Sequence, residues 1–321
     1  MRTGFFLALA ACSSPAMDGA AADAPVVVDA AVDAKAAEVP YPIVLAHGLF
    51  GFHNLGPLDY FYGIAPVLEA QGRQVFAPRV DAVQSPAVRG AQLIAAIEDA
   101  KKQTGARKVI VIGHSQGGLD ARWAAAHDAD SVAAVITVAT PHRGSPVADV
   151  AFGILPGDST AALNVLADFF GVATDGSSTN FRAAMEALST AGAAQFNLDT
   201  PDVPGMRYYS IAGRSNMAHA DACPPAAADF MSTWDGSVDP IKLELAPVGA
   251  ILESAASPAK PVHDGLVTID SAKWGTFLGC VPADHLDEVC QIAGQSPGAN
   301  NDFNCLGFWK GLEQFLRAKN L

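Results

Sequence analysis

Short runs of consecutive apolar residues recur between residues 43 and 138, and each is followed by a longer stretch of mixed polarity. The runs that predict strands lie at residues 43–46, 75–77, 109–112 and 132–138, and the stretches that predict helices lie at residues 61–71, 86–103 and 117–126. Runs that are apolar throughout, rather than at every second position, are typical of strands buried on both faces. The pattern therefore predicts an α/β fold in which a mainly parallel sheet carries helices on both faces.

This alternation stops after residue 144. Between residues 145 and 204 the apolar positions follow a helical spacing instead, as at Leu163 and Leu166. We expect a helical insertion there, placed as a lid over the site, with a packed and immobile subdomain as the alternative. Residues 207–211 predict a return to the sheet, and residues 302–316 predict a C-terminal helix with one apolar side.

The composition allows one sizeable domain and disfavours one class of partner. The 321 residues are 50% hydrophobic and 17% charged, which is enough apolar surface for a large core. We expect residues 41–321 to form a single α/β domain. The formal net charge of -13 makes nucleic acid an unfavourable partner, because a phosphate backbone attracts basic proteins.

The N-terminal segment has the features of an export signal followed by a tether. Residues 9–12, Leu-Ala-Ala-Cys, resemble the lipobox of bacterial lipoproteins, in which the cysteine is lipidated. This predicts a signal peptide at residues 1–11, a lipidated Cys12 and a flexible tether at residues 12–40, which are rich in alanine and aspartate. Ser13 after the cysteine favours an outer-membrane or cell-surface lipoprotein held by its lipid anchor, with a secreted protein as the alternative.

Four further cysteines follow: Cys223, Cys280, Cys290 and Cys305. An even number in an exported protein favours two disulfides, and three pairings are possible. Our choice is Cys223 with Cys280 and Cys290 with Cys305. Zinc binding is disfavoured, because the chain has no Cys-x-x-Cys pair to preset the ligand geometry.

The segment Gly113-His114-Ser115-Gln116-Gly117 lies between a predicted strand and a predicted helix. A Gly-x-Ser-x-Gly sequence in that context is typical of a nucleophile elbow, a sharp turn that exposes the serine. The flanking glycines avoid collisions across such a turn. Ser115 is therefore the candidate nucleophile, rather than a helix cap in an ordinary glycine-rich turn.

A serine hydroxyl is protonated at neutral pH, so the nucleophile needs a base to accept its proton. In this fold class the acid and the histidine follow the serine along the chain, which leaves His127, His142, His219, His263 and His285. His285 precedes a helix-compatible run, where a loop could hold it above the sheet. Asp264 lies upstream in a glycine-containing turn and could accept a hydrogen bond from that imidazole. We therefore predict a Ser115-Asp264-His285 triad.

A tetrahedral intermediate formed on a serine nucleophile carries an oxyanion, which needs hydrogen-bond donors already in place. The turn His47-Gly48-Leu49, directly after the first predicted strand, supplies one candidate, the backbone N–H of Leu49. The N–H of Gln116, next to the nucleophile, is the other. His47 is then expected to hold the loop, and His142 to be structural near the base of the insertion.

Six motifs in the same order resemble those of secreted bacterial triacylglycerol lipases of the type often assisted by a dedicated foldase. They are His47-Gly48-Leu49, Gly113-His114-Ser115-Gln116-Gly117-Gly118, Thr140-Pro141-His142-Arg143-Gly144-Ser145, Tyr208-Tyr209-Ser210, His263-Asp264-Gly265-Leu266-Val267 and His285-Leu286-Asp287-Glu288. The resemblance is close over residues 41–153 and looser to about residue 294. It implies an α/β-hydrolase fold, a helical lid and hydrolysis of long-chain acyl esters at a lipid–water interface through an acyl-enzyme, with a lipase foldase as a further partner.

The same resemblance implies a structural Ca²⁺ ion near the catalytic histidine. Members of the family hold it with two aspartate carboxylates and two backbone carbonyls, which correspond here to Asp239, Asp287, Gln291 and Gln295. Oxygen ligands suit this hard cation, and its task would be to hold the His285 loop in place. Asp235 or Glu244 is the alternative to Asp239, because the spacing upstream departs from that of the family.

Two alternatives to a triacylglycerol lipase stay open. The same machinery could serve short-chain esters or polyester chains, or the chain could be a non-catalytic surface lipoprotein on a hydrolase frame. The full set of Ser115, Asp264 and His285 with two glycine-flanked loops disfavours the second alternative. The sequence therefore predicts a carboxylic-ester hydrolase, with triacylglycerol lipase as the leading hypothesis.

Overall fold

The computed structural model describes residues 40–51, 54–55, 58–151, 179–215, 223–224, 226–234, 239, 245–255, 261–291 and 301–321. These residues belong to one unit, Pro40–Leu321. Four sets of predictions lie outside the described residues: the signal peptide and Cys12 with residues 13–39 of the tether, residues 152–178 of the insertion, Gln295, and the alternative ligands Asp235 and Glu244.

The apolar runs form one parallel sheet, as their pattern predicted. The strands are β1 Ile43–Ala46, β2 Asn54–Leu55, β3 Leu58–Asp59, β4 Val75–Phe76, β5 Val109–His114, β6 Val132–Val138, β7 Arg207–Gly213 and β8 Thr276–Val281. The order in the sheet is β4-β1-β5-β6-β7-β8, and each neighbouring pair is parallel. β2 and β3 form a separate antiparallel pair. Because the six strands run the same way, the loops that follow them lie along one edge, the carboxyl edge of the sheet.

Helices cover both faces of this sheet. The α-helices of the described residues are α1 Ile64–Glu69, α2 Pro86–Thr104, α3 Gln116–His127, α4 Pro146–Ala151, α5 Thr179–Leu188, α6 Thr190–Asp199, α7 Ala246–Ala255, α8 Ile269–Ala272 and α9 Cys305–Ala318. Alternate residues of a strand point to opposite faces. On β1, Ile43 and Leu45 pack with α1 and α9, whereas Val44 and Ala46 pack with α2 and α3. Within the described ranges, every helix is too short or too polar to span a bilayer.

The helix ends follow local stop and start signals. α2 begins with Pro86 and ends before Gly105, whose φ is 72°. Proline is favoured in the first turn of a helix, and a left-handed glycine is a common helix stop. α9 begins at Cys305 rather than at residue 302, because the Asn304 side chain accepts the N–H of Gly307 and caps the helix there.

The predicted insertion contributes α4, α5 and α6 in the described residues. An apolar cluster joins these helices to the carboxyl edge of the sheet, where Leu49 and Leu119 pack with Val147 of α4 and Met185 of α5. Leu252 of α7 joins the same cluster. The insertion therefore packs against the loop that carries the predicted oxyanion donor Leu49.

Two disulfides join loop residues to a strand and to a helix. They join Cys223 to Cys280 and Cys290 to Cys305, which confirms the pairing chosen from the sequence. The second disulfide connects the short 3-10 turn Asp287–Val289 to the first residue of α9. Since that turn begins two residues after His285, the disulfide lies close to the predicted active site along the chain.

Candidate active site

The turn at Ser115 joins the end of β5 to the start of α3 and is strained. Ser115 has φ 56° and ψ -132°, in the positive-φ region that side-chain-bearing residues rarely adopt. Its N–H donates to the carbonyl of Val138 at 2.9 Å. A Cβ on Gly117 would lie 2.1 Å from the carbonyl oxygen of Ala46, so only glycine fits that close approach. Strain of this kind persists only when the surrounding structure enforces it, which is typical of functional sites.

Asp264 and His285 form a buried hydrogen-bonded pair. His285 Nδ1 lies 2.8 Å from Asp264 Oδ2, and the backbone N–H of His285 donates to the carbonyl of Asp264 at 2.9 Å. The other carboxylate oxygen, Oδ1, accepts the backbone N–H groups of Leu266 at 2.8 Å and Val267 at 2.6 Å. The carboxylate is therefore held by its own turn and presents a single oxygen to the imidazole.

This pair lies next to the elbow. The rings of His285 and His114, the residue before Ser115, have centroids 4.6 Å apart. In the described part of the chain, Ser115 Oγ makes no hydrogen bond with His285, and a Cβ on Gly48 would lie 3.2 Å from that Oγ. Proton-transfer contacts of this kind often tighten only when substrate is bound. The structure thus brings the three predicted residues to one place, and their catalytic roles stay a prediction.

Glu288 is a second buried carboxyl group beside the pair, and no role was predicted for it. Its Oε2 lies 3.2 Å from His114 Nε2 and 4.0 Å from His285 Nδ1. Burial, and then the charge of Asp264, raise the pKa of Glu288 well above its usual value. The available signal was its spacing, since residues three apart in a helical turn share one side.

The two predicted oxyanion donors come from different elements. Leu49 follows β1, and Gln116 is the first residue of α3. Among the described residues, neither backbone N–H has a hydrogen-bond acceptor. Both groups are therefore free to bind an oxyanion formed at Ser115, as donors of this type must be. Their predicted role is consistent with this arrangement.

His47 and His142 both have structural surroundings, as expected. Burial and the charge of Arg89 lower the pKa of His47 to about 4, so its ring is neutral at pH 7. Its Nε2 accepts the N–H of Val80 at 3.3 Å, which leaves Nδ1 as the donor that faces Gly48 O at 3.0 Å. Burial also lowers the pKa of His142 well below its usual value.

An apolar pocket opens at the nucleophile. Its lining comes from the oxyanion loop, the elbow, the insertion and the Asp264 turn: Leu49, Ser115, Pro141, Ser145, Val147, Ala148, Met185, Leu188, Leu266 and Val267. Apart from the two serines, these side chains are aliphatic, so the pocket offers an acyl chain mainly apolar contacts.

Three carboxylates form a buried cluster at the loop that carries His285. Oxygen atoms of Asp239, Asp284 and Asp287 all lie within 4.8 Å of one another. Such a group needs protons or a cation to offset its mutual repulsion, and oxygen donors suit Ca²⁺. The structure therefore brings together two of the predicted ligands, Asp239 and Asp287. It adds Asp284, which directly precedes His285 and was not among the predicted ligands. The side-chain amide of Gln291 donates to Tyr60 O at 2.8 Å, so the predicted ligand atom of Gln291 is its backbone carbonyl oxygen.

Comparison with known proteins agrees with this fold. A family model described as an alpha/beta hydrolase fold matches residues 41–214, more than half of the chain. The mature form of Bacillus licheniformis lipase BlEst2 is 24% identical, with a TM-score of 0.57, and the match covers 78% of this chain and 87% of that one. Staphylococcus hyicus lipase is 17% identical, with a TM-score of 0.59, and the match covers 88% of this chain and 97% of that one. The fold and the elbow thus define the class of α/β hydrolases.

Relatives of higher identity narrow this class. The triacylglycerol lipase of Vibrio cholerae is 33% identical over 284 residues, which cover 79% of this chain and 81% of that protein. The triacylglycerol lipase of Burkholderia plantarii is 34% identical over 297 residues, which cover 81% of both chains. The chain therefore belongs to the triacylglycerol lipase family of serine ester hydrolases.

Proposed function

We propose that this protein hydrolyses the ester bonds of triacylglycerols and related long-chain acyl esters. His285 Nε2 removes the proton of the Ser115 hydroxyl as Oγ attacks the carbonyl carbon, and Asp264 stabilises the imidazolium that forms. The N–H groups of Leu49 and Gln116 donate to the oxyanion of the tetrahedral intermediate. His285 then protonates the leaving alcohol. Water, deprotonated by the same histidine, releases the fatty acid from the acyl-enzyme.

The observation that carries this proposal is the buried Asp264–His285 hydrogen bond of 2.8 Å next to the strained turn at Ser115. The aliphatic pocket at that serine supports an acyl chain as the group that is bound. The similarity to the triacylglycerol lipases of Vibrio cholerae and Burkholderia plantarii supports a triacylglycerol as the ester. Short esters and polyesters share the same chemistry and differ in what fills the pocket.

We also propose that the cluster of Asp239, Asp284 and Asp287 holds Ca²⁺, with the backbone carbonyls of Gln291 and Gln295 as the further ligands expected from the family resemblance. When bound, the cation supplies positive charge that offsets the repulsion of the carboxylates. Asp284 Oδ1 accepts the N–H groups of Leu286 and Asp287, both at 3.0 Å, so the cluster is tied to the backbone that follows His285. The role of the cation here is structural.

The function is tested with a series of p-nitrophenyl esters from acetate to palmitate, emulsified trioleate and a polyester film. We expect long chains to be preferred and Ser115→Ala to lower kcat by at least about 10³-fold. Ser145→Ala is the matched control, because Ser145 lines the same pocket and its hydroxyl donates to Leu266 O at 2.7 Å. Rates that fall beyond butyrate would indicate a short-chain esterase, and full activity of Ser115→Ala would refute the serine mechanism.

We further propose that the protein is exported and carries acyl chains on Cys12. Two disulfides among the described residues support an oxidising compartment. Detergent-phase partitioning should be strong for the full chain and disappear in Cys12→Ala, and equal partitioning of the two would contradict the anchor. Dependence on a foldase is tested by expressing the chain in a host that has no lipase foldase. Active enzyme from this host would show that the chain folds unaided.

A further inference from the structure

Arg89 is fully buried next to the loop that carries an oxyanion donor. Its Nη2 donates to the carbonyl oxygens of His47 at 2.5 Å and Gly48 at 3.2 Å, and its Nη1 donates to Asp81 O at 2.5 Å. From these contacts we infer that Arg89 is a positioning residue, which sets the orientation of the peptide that carries the Leu49 N–H. This inference rests on the proposed function.

The geometry of a peptide bond explains how this works. In a trans peptide the C=O and the N–H point in opposite directions, so holding the oxygen fixes the direction of the hydrogen. The Gly48 carbonyl and the Leu49 N–H belong to one peptide. That carbonyl oxygen accepts from Arg89 Nη2, from His47 Nδ1 at 3.0 Å and from the N–H of Gly51 at 3.1 Å. The Leu49 N–H therefore points away from all three donors.

The nucleophile lies beside this peptide, and we take the N–H of Leu49, which has no hydrogen-bond acceptor among the described residues, to face it. A Cβ on Gly48 would lie 2.7 Å from Ser115 Cβ, and Leu49 lines the pocket that contains Ser115. If the peptide turned over, it would place a carbonyl oxygen where the negative charge of the oxyanion develops. Arg89 opposes this rotation, because its guanidinium holds the carbonyls of two successive residues of the loop.

The same guanidinium also ties the loop to the helix that supplies the second donor. Arg89 Nε lies 2.7 Å from Asp120 Oδ2, and both side chains are buried. Asp120 is in α3, which begins at the other predicted donor, Gln116. One side chain of α2 thus connects the Leu49 loop and α3, and this fixes the distance between the two N–H groups.

This role accounts for the presence of a charged group in a buried place. Taking a guanidinium out of water is unfavourable unless its hydrogen bonds and its charge are matched. A buried apolar side chain of similar size would fill the space equally well, but it could not hold carbonyl oxygens. The fork of a guanidinium can reach several acceptors in fixed directions, which a lysine ammonium cannot.

The chain offers a matched control in Arg73, which is also buried and also pairs with a buried carboxylate. Its Nε donates to Glu313 at 2.9 Å, and its other nitrogens donate to the carbonyls of Tyr41 and Leu321. None of these partners lines the pocket at Ser115. Loss of Arg73 should therefore lower stability as loss of Arg89 does, without touching either oxyanion donor.

The experiment compares Arg89→Met, Arg89→Lys and Arg73→Met with the wild type on a soluble p-nitrophenyl ester. Active sites are counted with a fluorophosphonate, so kcat refers to folded enzyme, and melting temperatures are measured in parallel. Binding of an alkyl boronic acid, which mimics the tetrahedral intermediate, provides a second readout. Arg89→Lys keeps the positive charge opposite Asp120, and it replaces Arg89→Met in the comparison if the methionine variant does not fold.

We expect Arg89→Met to lower kcat and boronic-acid affinity by the same factor, about 10- to 100-fold, with KM within about twofold. Arg89→Lys should lose less, and Arg73→Met should keep its kcat despite a lower melting temperature. The inference is overturned if the Arg89 variants keep their kcat per active site, or if Arg73→Met loses as much. Failure of the proposed function looks different, since the wild type would then be inactive or Ser115→Ala active.

Discussion

The turn that holds Asp264 leads to an unusual prediction about its replacement. Oδ1 accepts two backbone N–H groups, those of Leu266 and Val267, while Oδ2 faces His285 Nδ1. In Asp264→Asn the amide oxygen must stay on the two N–H donors, so the NH₂ group takes the position that faces the imidazole. That group can only donate, which forces Nδ1 to be the acceptor and places the ring proton on Nε2. A ring in this tautomer cannot take the Ser115 proton.

The size of the loss follows from this tautomer. When an analogous triad aspartate of a serine protease is replaced by asparagine, the wrong tautomer lowers kcat by about 10⁴-fold. A factor of that size corresponds to about 5 kcal/mol of lost transition-state stabilisation. We expect Asp264→Asn to lose a similar amount, with a nearly unchanged fold, because asparagine keeps the hydrogen bonds to the turn.

Asp264→Ala should be the more active variant of the two, although it removes more of the side chain. Alanine does not impose a tautomer, and Glu288 Oε2 already lies 4.0 Å from His285 Nδ1. The charge of Asp264 is one of the causes that raise the pKa of Glu288, after burial, so its removal favours the ionised glutamate. The ionised carboxylate can then accept a hydrogen bond from Nδ1–H. We expect a loss of about 10²-fold in kcat.

The assay is kcat per titrated active site for Asp264→Asn, Asp264→Ala and the double variant Asp264→Ala/Glu288→Gln. Activity of Asp264→Ala should rise with pH as Glu288 loses its proton, and it should fall to the level of the asparagine variant in the double variant. If alanine is as damaging as asparagine at every pH, the tautomer argument and the role given to Glu288 are both refuted. Glu288→Gln alone is the control for damage to packing.

The remaining predictions concern the supports of the catalytic histidine loop. Chelation of divalent cations should lower the melting temperature of the wild type by several degrees and have no effect on Asp287→Asn; identical wild-type curves would contradict the cation site. Replacing Cys290 and Cys305 by alanine should lower stability by about 3 kcal/mol, and replacing Cys223 and Cys280 by about 4 kcal/mol, from sequence separations of 15 and 57 residues. Denaturant unfolding measures both losses. Only the loss of the Cys290–Cys305 disulfide should also lower kcat, because this disulfide is close to the His285 loop. Equal kcat losses for the two disulfides would contradict this reasoning.

The central strands could be predicted from sequence because their apolar runs are uninterrupted. Strand β8 and the exact start of the predicted helix α1 were not found in this way. β8 contains Gly279, which interrupts its apolar run, and its pairing with β7 shifts register between Ser210 and Ile211, which the sequence does not show. α1 is shorter than its apolar positions suggest, since Gly63 with φ 70° prevents an earlier start.

The residues of the candidate site could likewise be predicted only in part. Ser115, Asp264 and His285 could be found because each stands in a short motif whose order along the chain is characteristic. Asp284 and Glu288 flank one of these residues, but only the folded loop shows which carboxylate approaches which partner. Asp284 contributes to the cluster with Asp239, and Glu288 turns toward His114, although both are close to His285 in sequence. Proximity in sequence does not determine such directions, because they depend on a single 3-10 turn.

Buried polar contacts and the apolar core stabilise different parts of this molecule. The core holds the strands, whereas the groups of the proposed mechanism lie in loops and at the start of α3, where apolar packing alone does not set the direction of a backbone N–H or of a carboxylate. Buried polar contacts do so instead: Arg89 holds the Gly48 carbonyl, and two backbone N–H groups hold the Asp264 carboxylate. Substitutions in the core should therefore change mainly the melting temperature, whereas substitutions that remove these polar contacts should change mainly kcat. The comparison of Arg89 with Arg73 separates these two effects, because both side chains are equally buried and only one contacts a loop of the site.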